Sequence, residues 1–150
     1  MKIVKIIVLT ILIIMIFLIL KKIKNDEKNA IKTSVDNIDI SNIENFEYKS
    51  HTIISLYLKS KELGYKKEAK IAKLKLFKYM DFLLIKIEKE KKILNEIENK
   101  LLKHGLKTKK EKNIYDKIIE TRKLHKKIKE LNKNTKKKLD NIDKSLSNNS

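Results

Sequence analysis

No cysteine, proline or tryptophan occurs in the 150 residues, and glycine occurs twice, at Gly64 and Gly105. Without Cys there is no disulfide, no thiolate nucleophile and no Cys-based zinc site, so thiols say nothing about redox chemistry or compartment. Without Pro, nothing in the chain is obliged to break a helix. Two glycines are too few for a phosphate-cradling loop, and no G-x-x-x-x-G-K, G-x-G-x-x-G, G-x-S-x-G or H-E-x-x-H motif is present. Aromatic residues make up 6% of the chain and charged residues 37%, a balance that favours long solvated helices over a deep core.

The charge is one-sided. Lys and Arg number 37 against 19 Asp and Glu, a net charge of +18, yet Arg122 is the only arginine. A site built for phosphate favours the planar, bidentate fork of Arg, and AT-rich coding produces an excess of Lys, Ile and Asn without selection. The basic balance therefore reads first as solvation of helices. Its densest part, Lys107 to Lys138, holds fourteen basic residues against four acidic ones. That stretch is the candidate for gripping an anionic polymer, nucleic acid or acidic lipid, in a salt-sensitive and sequence-indifferent way. Only Tyr115 is available there for base stacking.

One run of the sequence is apolar enough for lipid. Between Ile6 and Leu20 the sole polar residue is Thr10, whose hydroxyl can bond back to its own helix. Counted from Ile3 to Ile23, with Lys5, Lys21 and Lys22 snorkelling, the run spans roughly 31 Å at helical rise, the thickness of a bilayer's hydrocarbon core. Residues 1–24 are accordingly expected to be a single-pass anchor with membrane lipid around 3–23. The rival is a cleaved signal peptide, with Lys2 and Lys5 as its charged head, but no A-x-A-like site follows Leu20. Lysine counts on the two flanks favour a cytoplasmic body, whereas a short head before a signal-like run favours an exported one. The extracytoplasmic side is the expectation adopted.

Beyond the anchor, residues 25–40 are polar and read as a linker with at most a frayed turn. Ser41 with Glu44 forms an S-x-x-E capping box, which starts a helix over 41–63 with Ile43, Phe46, Ile53, Ile54, Tyr57 and Leu58 on its apolar side. Gly64 and Gly105 fall where helical patterns pause. At the second, Leu106 stands where a Schellman cap contacts Leu101, and Thr108 with Glu111 opens another helix.

The helix over 66–104 carries a heptad row of Leu76, Met80, Leu83, Ile87, Glu90, Leu94, Ile97, Leu101 and His104. The helix over 109–146 carries Ile114, Ile118, Thr121, His125, Ile128, Asn132, Thr135, Leu139, Ile142 and Leu146. Laid antiparallel so that facing residue numbers sum to 215, the rows place the two charged interruptions, Glu90 and His125, opposite each other. The 66–104 helix has a second apolar face, Leu74, Phe77, Phe82, Leu84 and Ile85, which the 41–63 helix is expected to cover. The predicted fold is all-α: a transmembrane helix, then a coiled-coil-like helical hairpin with one additional packed helix in a body over 41–146, and a disordered tail at 147–150.

No constellation for chemistry emerges. His51, His104 and His125 are scattered without metal-ligand spacing, and Glu88, Glu90, Glu96 and Glu98 sit among lysines as surface ion-pair partners do. No catalytic, cofactor-binding or metal residue is assigned, and no enzyme is expected. Three functions remain open: a structural or interaction protein that self-associates or recruits a helical partner; a tethered binder of nucleic acid or anionic lipid; and a small phage-type lysis or permeabilising accessory acting through its anchor.

Overall fold

In the absence of proline, nothing halts the first helix where its apolar run ends, and α1 continues from Lys2 to Asp36. The computed structural model describes residues 1–148, and among these it has four helices and no strand. After α1 come α2 (Phe46–Glu62), α3 (Lys66–His104) and α4 (Lys109–Ser147). The tail assigned to 147–150 lies partly outside the described residues: Ser147 closes α4 and Asn148 caps it, while 149 and 150 are not described.

The polar stretch read as a linker over 25–40 is therefore helical through Asp36. Ile31 and Val35, one turn apart, are 3% and 0% exposed and enter the core. Ile31, Val35 and Ile38 stand at i, i+4 and i+7, an amphipathic pattern only two turns long that the polar residues around it obscure. Lys75 closes its end by donating to the carbonyl of Asp36 at 2.8 Å, a cation on the last carbonyls.

The Ser41–Glu44 box does not form. The carboxylate of Asp39 accepts from the Ser41 backbone N–H at 2.8 Å and its hydroxyl at 2.6 Å, and Asn42 Oδ1 accepts from Glu44 N–H at 3.0 Å. Asn42 thus takes the Glu44 N–H that the Ser41 hydroxyl would have accepted, and Asp39 takes the Ser41 N–H that the Glu44 carboxylate would have accepted. These bonds hold the Asp39 carboxyl below its ordinary range. Helix α2 starts later, at Phe46, after a left-handed Asn45 (φ 53°).

Both glycines are left-handed, with φ of +71° at Gly64 and +76° at Gly105. The paired Schellman bonds occur at the first: Tyr65 N–H to Ser60 O at 2.8 Å and Gly64 N–H to Lys61 O at 3.1 Å. At the second, Gly105 N–H bonds Leu102 O at 3.1 Å, and Leu106 is itself left-handed (φ 51°), so two residues share the reversal. The Thr108–Glu111 box is complete, with Glu111 N–H to Thr108 Oγ1 at 3.1 Å and Thr108 N–H to Glu111 Oε2 at 2.8 Å. A Cβ added at Gly105 would meet only Lys107 Cε, at 3.9 Å. Gly105→Val should thus destabilise by conformational strain alone, about 1–2 kcal/mol, and Gly105→Asn by much less, as thermal unfolding of the two variants will show.

Helix α4 returns antiparallel to α3. Its buried face is Ile118, His125, Ile128, Asn132, Thr135 and Leu139, and that of α3 includes Leu76, Met80, Leu83 and Ile87. His125 Nε2 and Glu90 Oε2 are 2.7 Å apart, the pair that the 215 register places face to face. Helix α2 leaves most of the second face of α3 uncovered: Leu74 and Ile85 are 51% and 56% exposed and Phe77 36%, while Phe82 is half-buried against the cluster that holds Phe46. It packs with α1 over Ala69, Ala72, Leu76 and Tyr65 instead, because two alanines let backbones approach more closely than Leu74 and Phe77 allow. Tyr79 is fully buried, its phenol raised to about 12 by burial and then by the Asp39 charge, and it donates to Asn42 O at 3.2 Å.

Candidate interaction surfaces

Two polar clusters orient the elements. Near the end of the apolar run, the Tyr65 hydroxyl donates to Glu27 Oε2 at 2.8 Å, while Lys24 and Lys28 lie over its ring at 5.7 and 5.2 Å. Lys59 adds an ion pair to Glu27 at 3.5 Å. Nine residues later along α1, Asp36 meets Lys75 of α3. Contacts that climb in step along both helices mean that α1 and α3 run parallel. Helix α3 therefore leads away from the apolar run, with the Gly64 turn at the near end and the Gly105 turn at the far end.

The second cluster centres on Asp143 of α4. Its carboxylate accepts from the Tyr57 hydroxyl and from Lys73 Nζ at 2.8 Å, and Lys61 is 3.7 Å away. Burial opposes the charge on Asp143, but the bonds from Lys73 and Tyr57 and the neighbouring lysine charges outweigh it, and the carboxyl lies below its usual value. Burial, then Asp143, raises the Tyr57 phenol. Tyr57 is a member of the apolar side of its helix, but Asp143 and Tyr65 only border the apolar rows, so the sequence pattern reveals neither cluster.

A depressed folded pKa contributes stability that is present above the unfolded carboxyl value and lost as pH falls through the folded one. Unfolding followed from neutral pH to below about pH 4 should show wild type losing stability faster than Asp143→Asn, the two converging in acid.

Three carboxylates of α3, Glu88, Glu90 and Glu98, find partners on α4. Arg122, the only arginine, clamps Glu98 through both terminal nitrogens, one at 2.8 Å, and reaches Asn95 Oδ1 at 3.0 Å. This fork keeps the Glu98 carboxyl low and the Arg122 guanidinium high, the bidentate use for which Arg is suited. Glu88 meets Lys129 at 3.3 Å. Of the histidines, His51 is exposed on α2, His104 is exposed at the end of α3, and His125 is buried against Glu90. No group of three His, Asp or Glu side chains able to hold a metal ion occurs among the described residues.

Three surfaces remain uncovered. The apolar run of α1 is one, since none of it is buried and it is the one helix here long and apolar enough to cross a membrane. A groove of about 410 Å³ between α3 and α4 is the second, floored by Phe77, Met80 and Leu84 and edged by Lys129, Lys133 and Lys136. Asn132 also lines it, donating weakly to Met80 O at 3.4 Å while its Oδ1 accepts nothing. The third is the solvent face of α4 between Lys107 and Lys138, where only Arg122, Lys127 and Lys129 have ion-pair partners among the described residues. Comparison of the chain with protein-family models, curated proteins and solved structures returns no match.

Proposed function

We propose that this is a non-catalytic, single-pass membrane protein whose body, a coiled-coil-like hairpin of α3 and α4 buttressed by α2, recruits or spaces a partner by helix packing, on the extracytoplasmic side. The observation that carries the reading is that one helix holds both the apolar run and the core residues Ile31 and Val35. Cleavage behind the run would cut within that helix, just before Glu27, Ile31 and Val35 engage the body. This favours a retained anchor over a removed signal.

A rigid join of this kind suits a spacer. Helix α3 is 39 residues long, roughly 58 Å at helical rise, and leads away from the apolar run. The groove along Phe77 and Leu84 gives a second copy, or a foreign helix, an apolar seam with a lysine edge. Sedimentation of the full chain in detergent tests self-association: an oligomer that Phe77→Lys with Leu84→Lys converts to monomer supports it, and a wild-type monomer at every concentration opposes it. Protease added to intact cells should degrade the body; protection would place it in the cytoplasm.

The unpaired lysines of α4 support a second reading, a tethered binder of anionic polymer. Binding of duplex DNA with a steep salt dependence, weakened by lysine removal between Lys107 and Lys138, would favour it.

A further inference from the structure

The α2–α3 turn holds an exposed apolar residue, Leu63, 41% exposed, followed by Lys66, Lys67 and Lys70. All three lysines are exposed and have no ion-pair partner among the described residues. Tyr65 ties this turn to Glu27 and packs beneath Lys24 and Lys28. Ile23 ends the apolar run, so the turn is held four to five helical residues beyond it, roughly 6–8 Å at helical rise. A headgroup layer is of the same depth, about 5–8 Å.

We propose that this turn is a docking surface for anionic phospholipid headgroups, with Lys66, Lys67 and Lys70 on the phosphates and Leu63 at the acyl boundary. The inference rests on α1 crossing the membrane. Helix direction separates these lysines from their neighbours. Side chains lean toward a helix's N-terminus, so those at the start of α3 lean toward the bilayer. Lys59 and Lys61, at the end of α2, lean away from it and pair with Glu27 and Asp143 instead. The acidic residues nearby are Asp26, Glu27, Glu62, Glu68 and Asp143; Glu27 pairs with Lys59 and Asp143 with Lys61 and Lys73, and the lysines at 21, 22, 24, 66, 67 and 70 outnumber the three acids that remain. Anionic headgroups complement that excess.

Because the chain has no Trp, single tryptophans report depth directly. The full chain with Leu63→Trp is reconstituted into vesicles of phosphatidylcholine alone or mixed with phosphatidylglycerol, each with brominated acyl chains as quencher. Stronger quenching and a bluer emission in the anionic vesicles are expected, and Lys66→Gln, Lys67→Gln and Lys70→Gln together should abolish the difference. Equal, water-like emission in both lipids, or a difference that survives the three substitutions, overturns the proposal. Phe17→Trp is the companion: quenched in both lipids it confirms the span, so that failure at Leu63 counts against the docking surface alone. Unquenched, it overturns the span and the docking surface together.

Discussion

Val35→Asp should destabilise the body by more than about 3 kcal/mol, since it puts a carboxylate without a partner into the core. Val35 has no exposure and belongs to the same cluster as Ile53, Tyr57, Ala72 and Leu76. Ala30→Asp, on the exposed side of α1, should change stability by under about 0.5 kcal/mol. Denaturant unfolding of both variants of the full chain in detergent, followed by circular dichroism, makes the comparison. Equal stability would mean that the end of α1 is a loose tether, and the body would then be free to move relative to the membrane.

The second large effect is expected where the two rows meet. His125 is 6% exposed and its one hydrogen-bond partner among the described residues is Glu90. Glu90→Leu alone leaves the imidazole against hydrocarbon, at a cost of about 1–3 kcal/mol. Adding His125→Leu should recover most of that loss, because an apolar pair of similar volume often replaces a buried polar one without penalty. Additive single-variant losses would contradict the coupling. The chain has no Cys, so register is also open to crosslinking. Ile97→Cys with Ile118→Cys should oxidise within one chain and Ile97→Cys with His125→Cys should not.

That pairing was legible in the sequence because charged interruptions in two heptad rows fix an alignment that apolar residues alone leave free to slip. The bounds of α3, and the start of α4 at the Thr108–Glu111 box, were legible for a local reason: a left-handed glycine and a capping pair leave their mark within four residues. Helix α1 beyond Lys24 was not, since Ile31 and Val35 gain meaning only through the cluster they share with residues of α2 and α3, far along the chain. The Ser41 box failed on competition, from acceptors at Asp39 and Asn42 that the motif does not include. The apolar face at Leu74, Phe77 and Ile85 was seen, but sequence patterning does not say which of two faces a neighbouring helix takes. Small residues decided it.

If α1 spans the membrane, its unbroken course from the apolar run into the bundle holds α3 and α4 upright. Neutron reflectometry on the full chain in a supported bilayer tests it most directly. Protein density is expected to extend roughly 60 Å beyond the headgroups, the length of α3 at helical rise, and to thin outward, where beyond Ile87 and Ile128 the body narrows to two helices. Density confined to within about 20 Å, two helix diameters, would mean that the body lies flat on the membrane, and would contradict the upright arrangement.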